Sequence, residues 1–261
     1  MSNTVQVFSS SRDSPIATCG QSRWSTVDTV QLTKDTIVDA ALVILDNYGL
    51  GDLTMRRLAR ALDSAPGALY WHFPSKQALL GAVADRILAP LANFRPESTW
   101  PEDVNNFTTA LYQALLAHRD GAEVVSAALA TTTASIRPEQ VLCDAMLSPR
   151  ESPAAALPEH IARGGDVLDM AAVLVFFVLG TTVELQTAAM LHNQAPDNPS
   201  DSSSAKSGSA RDSATKSAAA RGAGEKPALT HLRLPEELAL RGRQRIALGT
   251  ELFLAGIKAR G

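Results

Sequence analysis

Residues 53–83, LTMRRLARALDSAPGALYWHFPSKQALLGAV, decide the fold class of this chain. Apolar residues recur at helical spacing in this stretch, and Thr54 is a capping residue ahead of the first run. A short turn at Asp63 and Ser64 follows, then a short run from Ala65 to Trp71. Because Pro74 separates that run from a longer one, the stretch predicts two short helices joined by a tight turn and followed by one longer helix. This is helix-turn-helix geometry.

One more helix is predicted upstream, capped by Thr33 and ending at Gly49, with Tyr48 on its inward face together with Ile37, Ala41, Ile44 and Leu45. It would cover the backs of the two short helices. We therefore expect a small helix-turn-helix domain over residues 31–78, in which Trp71 and Phe73 plug the core.

The charge of this region differs from that of the whole chain. Residues 54–76 carry Arg56, Arg57, Arg60 and Lys76 against Asp63 alone, whereas the full chain has a net charge of −3 and a pI near 6.0. A generally basic, nucleic-acid-coating protein is excluded, because such binding needs a broadly basic surface. A local DNA contact and a merely solvated helix face both remain open on charge alone.

The segment LYWHFPSKQALL at 69–80 resembles the signature of the TetR family of transcriptional regulators. This resemblance implies that the helix near Ala65 is a recognition helix for operator DNA, that Tyr70 and Lys76 bind phosphates, and that Arg56 reads a guanine. The other residues expected to contact DNA are Thr54, Ser64, Ala65, Pro66, Gly67, Ala68, Trp71 and His72. Small side chains at 66–68 can touch thymine methyl groups but cannot pair with base edges.

The remainder of the chain, residues 79–261, is predicted to be a larger helical domain, so the fold class is all-α. Helices are expected at 102–118, 122–130, 138–147, 166–191 and 236–259. Low-complexity composition predicts a disordered extension over 1–30 and a mobile insertion over 193–228.

The segments HRDGAEV at 118–124 and LGTTVELQTAAM at 179–190 resemble the tetracycline-repressor branch of the same family. The resemblance implies an effector pocket lined by Phe107, Leu111, Val125, Phe176 and Glu184. Glu184 falls on the glutamate that holds the branch's magnesium chelate through water, but Val125 replaces its histidine and Phe107 its asparagine. We therefore expect no metal and no cofactor, and a small, largely apolar organic effector.

The helix at 166–191 is apolar nearly all round, which predicts that a partner chain covers one side. With the final helix it would form an intersubunit four-helix bundle in a homodimer. Its uncharged run, Met170 to Val183, has fourteen residues, whereas a bilayer requires about 20, so no membrane span is expected. Cys19 and Cys143 form no disulfide or metal motif, and the protein is expected to be cytoplasmic.

No constellation of catalytic residues is recognisable in the sequence, so an enzyme is not expected. The favoured function is a repressor that an effector releases from a palindromic operator. Two alternatives remain open: a DNA-binding dimer whose larger domain only dimerises, and an activator.

Overall fold

The computed structural model describes residues 32–97, 99–163, 166–194 and 234–259, and the regular elements within those ranges are all helical. They are α1 (Lys34–Tyr48), α2 (Met55–Ala61), α3 (Pro66–His72), α4 (Lys76–Ala92), α5 (Trp100–Leu116), α6 (Gly121–Ala130), α7 (Pro138–Leu147), α8 (Glu159–Ala162), α9 (Val167–Gln194) and α10 (Glu236–Lys258), with 3-10 turns at Leu50–Asp52 and Pro153–Ala155. The all-α prediction is confirmed. The extension predicted at 1–30 and all but the first two residues of the insertion predicted at 193–228 lie outside the described residues.

Helices α1, α2 and α3 form the predicted helix-turn-helix arrangement and are called the reading head below. Thr33 caps α1 by accepting a hydrogen bond from the backbone N–H of Thr36 at 3.1 Å, and Thr54 caps α2 in the same way. The predicted inward residues of α1 are buried except for Tyr48, which is half exposed. The inward placement of Tyr48 is wrong because α1 ends there and its ring lies under the guanidinium of Arg57, 3.8 Å from the ring centroid.

Helix α4 leaves the head and enters the larger domain. Near its middle, Arg86 binds Asp35 and Asp39 of α1, and on another side α4 packs against α6. The contact with the segment after α6 is especially close, since a Cβ atom on Gly81 would lie 2.3 Å from the carbonyl oxygen of Thr133. One continuous helix therefore carries the connection between the two parts of the chain.

The larger domain is built around α9, which packs against α5, α6, α7 and α10. Helix α5 starts two residues before the predicted boundary, because Thr99 and Glu102 form a capping box. The hydrogen bonds from Thr99 also lower the pKa of the Glu102 carboxyl below its usual value. The short helix α8 was missed by the sequence analysis.

A buried ion pair fixes the start of α5 to the segment after α7. The guanidinium of Arg150 lies 2.7 Å from Oδ2 of Asp103, and both side chains are almost wholly buried. Arg150 also donates to the carbonyl oxygen of Ala145 at 2.9 Å, so one guanidinium joins three segments. Both charges are therefore removed from water, and their pairing offsets part of that cost.

Within the described residues, α9 is long and apolar enough over Val167–His192 to cross a membrane, by length and composition alone. A helix in the core of a globular protein can be equally long and apolar. Here the helix contributes Ala171, Leu174, Val178 and Leu185 to the buried core of the larger domain.

Candidate nucleic-acid interface

Helix α3 is anchored in the head by one face only. Leu69 is fully buried and Phe73, directly after the helix, is almost as buried, whereas Tyr70 is half exposed. Pro66 occupies the first turn of α3, where its missing N–H costs nothing. The opposite face of the helix is consequently presented to solvent.

Trp71 lies on that outward face with 90% of its surface exposed. Its prediction as a core plug is therefore wrong, while the same prediction for Phe73 is right. The reason is helical rotation, because residues 69 and 73 are one turn apart and residue 71 lies about 200° from residue 69. An exposed tryptophan can offer a large apolar contact to a base or sugar.

The other residues predicted to contact DNA all keep some exposed surface. They lie at the N-terminus of α2, in the α2–α3 turn, along α3 and at the N-terminus of α4. Those classed as exposed are Thr54, Arg56, Ala65, Pro66, Gly67 and Tyr70, and those partly buried are Ser64, Ala68, His72 and Lys76.

The three arginines of α2 have different surroundings. Arg57 is held in place, since one guanidinium nitrogen lies 2.6 Å from Oδ1 of Asp52 and the group stacks on Tyr48. Arg56 and Arg60 are exposed and form no ion pair with any residue that the structure describes. Arg56 is therefore free to reach a ligand, whereas Arg57 supports the head.

The N-terminus of α4 is suited to a phosphate group. The hydroxyl of Ser75 caps it by accepting from the N–H of Ala78 at 3.1 Å, and Lys76 is the first helical residue. The first N–H groups of a helix have no partner within it and carry the positive end of its dipole. Together with the lysine ammonium they can bind an anion.

The five residues predicted to line an effector pocket differ in their surroundings. Phe107, Leu111 and Val125 are fully buried in the core, where the ring of Phe94 meets Phe107 edge-on at 5.3 Å between centroids. Glu184 is on the surface and pairs with Arg245 of α10 at 2.7 Å. Phe176 is exposed and borders a cavity between α6, α7 and α9. An apolar sequence position does not reveal whether its side chain fills a space or encloses one.

In the described part of the chain, no group of three or more histidine, cysteine or acidic side chains could hold a metal ion. Cys143, which is described, is a buried free thiol whose pKa is raised by burial and by the neighbouring Asp144.

Gln186 is a buried polar residue that was not predicted from the sequence. The side-chain amide of Gln186 on α9 donates to the carbonyl oxygens of Leu115 and His118, at 3.1 and 2.9 Å. Its oxygen accepts from the N–H of Ala122 at 3.2 Å. Gln186 thus fixes the turn between α5 and α6 to α9. A glutamine within an apolar run was the only signal in the sequence.

Comparisons with known proteins agree with this geometry. A family model described as bacterial regulatory proteins, tetR family, matches residues 37–83. The tetracycline repressor protein class A from transposon 1721 of Escherichia coli is 32% identical over 159 residues, covering 60% of this chain and 68% of the repressor.

Two solved structures are also similar. BioQ, in a crystal structure with its natural double-stranded DNA operator, is 40% identical with a TM-score of 0.53, covering 62% of this chain and 91% of BioQ. The BioQ of Mycobacterium smegmatis is 31% identical with a TM-score of 0.57, covering 88% of this chain and all of that one.

Proposed function

This chain belongs to the tetR family of bacterial regulatory proteins, and on that premise we propose that it represses transcription by binding a palindromic operator as a homodimer. Members of this family are DNA-binding transcription regulators and are not enzymes. The observation that carries the proposal is the orientation of α3, which buries Leu69 and Phe73 and exposes Tyr70 and Trp71. Arg56 on α2 is also exposed.

The proposed DNA contacts are of two kinds: contacts to phosphates, which position the protein, and contacts to bases, which read the sequence. The hydroxyl of Tyr70 and the N-terminus of α4 with Lys76 bind phosphates, which sets the register on the duplex without reading sequence. Arg56 reads one guanine through its O6 and N7 atoms. Pro66 and Gly67 at the start of α3 allow close approach to thymine methyl groups. The reading head comprises residues 31–78, and the larger domain comprises 79–261.

The homodimer is supported by apolar side chains that the single chain leaves exposed on α9 and α10. They include Val173, Phe176, Phe177, Leu240, Leu248 and Leu252. Two such helices from each protomer would form a four-helix bundle around a two-fold axis. The axis would place two copies of α3 about 34–36 Å apart, the spacing of successive major grooves on one face of DNA.

The protein is cytoplasmic, and a small organic effector releases it from DNA. Helix α4 is the element through which the larger domain would act on the head, since it packs against both. The alternative, a larger domain that only dimerises, is favoured by the close packing at Phe107, Leu111 and Val125. Operator affinity measured with and without a bound effector separates these two functions.

The experiment that tests DNA recognition is selection of bound fragments from a random pool, followed by sizing of the complex. We expect an inverted repeat with half-site centres about 10 base pairs apart, or a multiple of one helical turn, occupied by two chains. The logarithm of the affinity should fall linearly with the logarithm of the salt concentration. An asymmetric consensus, or one chain on each fragment, contradicts the proposal.

A further inference from the structure

Lys34, the first residue of α1, reaches the junction between α3 and α4. Its ammonium nitrogen lies over the ring of Phe73, 5.9 Å from the ring centroid. We propose that Lys34 binds a backbone phosphate of the operator, as a further positioning residue outside the helix-turn-helix pair α2 and α3. The inference rests on the proposed function and adds α1 to the surface that binds DNA.

The ring of Phe73 holds the ammonium in place. Phe73 is only 4% exposed, so its ring is fixed by the core of the reading head. The negative face of an aromatic ring attracts a cation that lies within about 6 Å of its centroid. Lys34 itself is exposed and forms no ion pair with any residue in the described ranges. Its positive charge is therefore available to an anion from outside the protein.

The place of Phe73 in the chain brings Lys34 next to the proposed phosphate contacts. Phe73 lies three residues after Tyr70 and three residues before Lys76. Residues three apart are neighbours on the surface of a helix, and the N–H of Phe73 still bonds to the last turn of α3. Lys76 follows as the first residue of α4. Lys34 thus adds a third phosphate-binding side chain to this surface, from a different helix.

Two carboxylates of α1, those of Asp35 and Asp39, lie close to Lys34 in the sequence and would repel a phosphate. Both are paired with Arg86 of α4, and the Asp35 pair measures 2.8 Å. The guanidinium offsets part of their negative charge. The same ion pairs join α1 to α4, which helps Lys34 and Lys76 to keep their relative positions.

The test measures binding of the full chain to two labelled duplexes of equal length, the selected operator and a random sequence, from 50 to 200 mM salt. Lys34→Ala should weaken operator binding by about tenfold at 50 mM and about threefold at 200 mM. This difference follows because the loss of one phosphate contact lowers the slope of log affinity against log salt by about 0.9. The random duplex should show the same change in slope, since a phosphate contact reads no sequence.

Two variants serve as controls. Lys34→Arg keeps the charge and the attraction to the ring, so its affinity should stay within about twofold of the wild type and its slope should not change. Arg95→Ala also removes one exposed positive charge, but Arg95 follows the far end of the 17-residue helix α4, about 25 Å from its N-terminus. Salt screens a charge at that distance, so the slope should again stay unchanged.

Thermal unfolding separates a DNA contact from a structural role. Because Lys34 is exposed, Lys34→Ala should shift Tm by less than about 2 °C. A loss of affinity that is independent of salt and accompanied by a lower Tm would mean that Lys34 only covers the Phe73 ring, and the inference would be wrong.

An unchanged slope in Lys34→Ala overturns the inference, as does an equal fall in slope in Arg95→Ala. Wild-type protein that selects an operator while Lys34→Ala keeps its slope leaves the proposed function intact. Wild-type protein that binds both duplexes equally well contradicts sequence-specific repression. In that case the slope on the random duplex still decides the role of Lys34.

Discussion

The backbone N–H of Leu50 donates a hydrogen bond of 2.7 Å to Oδ2 of Asp120, although the two residues are 70 positions apart. Leu50 begins the 3-10 turn that follows α1 in the reading head, and Asp120 ends the α5–α6 turn of the larger domain. Beside this bond, Nδ1 of His118 and the backbone N–H of Arg119 each lie 3.1 Å from the carboxylate of Asp46. The head is therefore attached to the larger domain by a polar contact as well as by α4.

Asp120→Ala should lower the free energy of unfolding by about 1–3 kcal/mol, because it leaves the N–H of Leu50 without its acceptor. The substitution also places alanine at a φ of +55°, a conformation that aspartate tolerates better. Urea denaturation measures the effect. Glu123→Ala, on the exposed side of α6, is the control and should change stability by less than about 0.5 kcal/mol. Equal losses in the two variants would show that the Leu50 contact contributes nothing.

Trp71→Ala should weaken DNA binding with little change in stability, whereas Phe73→Ala should lower stability. Trp71 is exposed, so its loss should change the free energy of unfolding by less than about 0.5 kcal/mol and should weaken operator binding. Phe73 is buried, and its truncation should cost about 3–5 kcal/mol of stability. Thermal unfolding and fluorescence anisotropy with labelled operator measure the two quantities. A Trp71→Ala protein that binds DNA like the wild type removes this side chain from the interface.

Arg56→Ala should cost about 1–3 kcal/mol of operator affinity and relax the preference at one base pair in each half-site, as loss of a bidentate guanine contact requires. Arg57→Ala is the matched control, because this neighbour is bound to Asp52 and stacked on Tyr48. It should leave the selected consensus unchanged. Repeating the selection with both variants checks this, and a consensus unaltered by Arg56→Ala would assign the reading role elsewhere.

Much of the fold followed from the sequence because the local signals agreed with the tertiary structure. Thr33, Thr54 and Ser75 each cap the helix they precede, and apolar spacing placed α7 at its observed bounds. The four-residue helix α8 is too short to produce a periodic pattern.

The site was less predictable where it depended on distant packing. Which aromatic residue of YWHF plugs the core depends on how α3 is rotated about its axis against the rest of the head, which local sequence signals do not determine. The contact of Phe107 with Phe94 was not predictable, because Phe94 lies in a loop outside any motif. The bond between Leu50 and Asp120 joins segments that no periodicity connects.

Val173→Glu should dissociate the homodimer, because it places a charge on the exposed apolar side of α9 proposed to meet a second copy. Sedimentation equilibrium should then give the mass of one chain. Leu147→Glu is the control, since this leucine is also half exposed but lies at the end of α7, outside that surface. A dimer that persists in Val173→Glu at micromolar concentration would place the dimer contact on another surface.

Gly81→Ala tests whether α4 and the segment after α6 form one rigid contact. The added Cβ would lie 2.3 Å from the carbonyl oxygen of Thr133 and 2.7 Å from its carbonyl carbon. These are backbone atoms, so no side-chain rotation relieves the clash, and either α4 or the segment must shift. We expect the free energy of unfolding to fall by about 1–3 kcal/mol, a typical cost of overpacking.

The direction of this change is informative because helix propensity predicts the reverse. Glycine to alanine inside a helix gains about 1 kcal/mol when space allows. Gly67→Ala in α3 is the control, since its Cβ position has no neighbour within 4 Å. It should raise the stability of the free protein by roughly 0.5–1 kcal/mol. A gain in both variants, measured by urea denaturation, would mean that the segment yields to α4 and that the contact between them is not rigid.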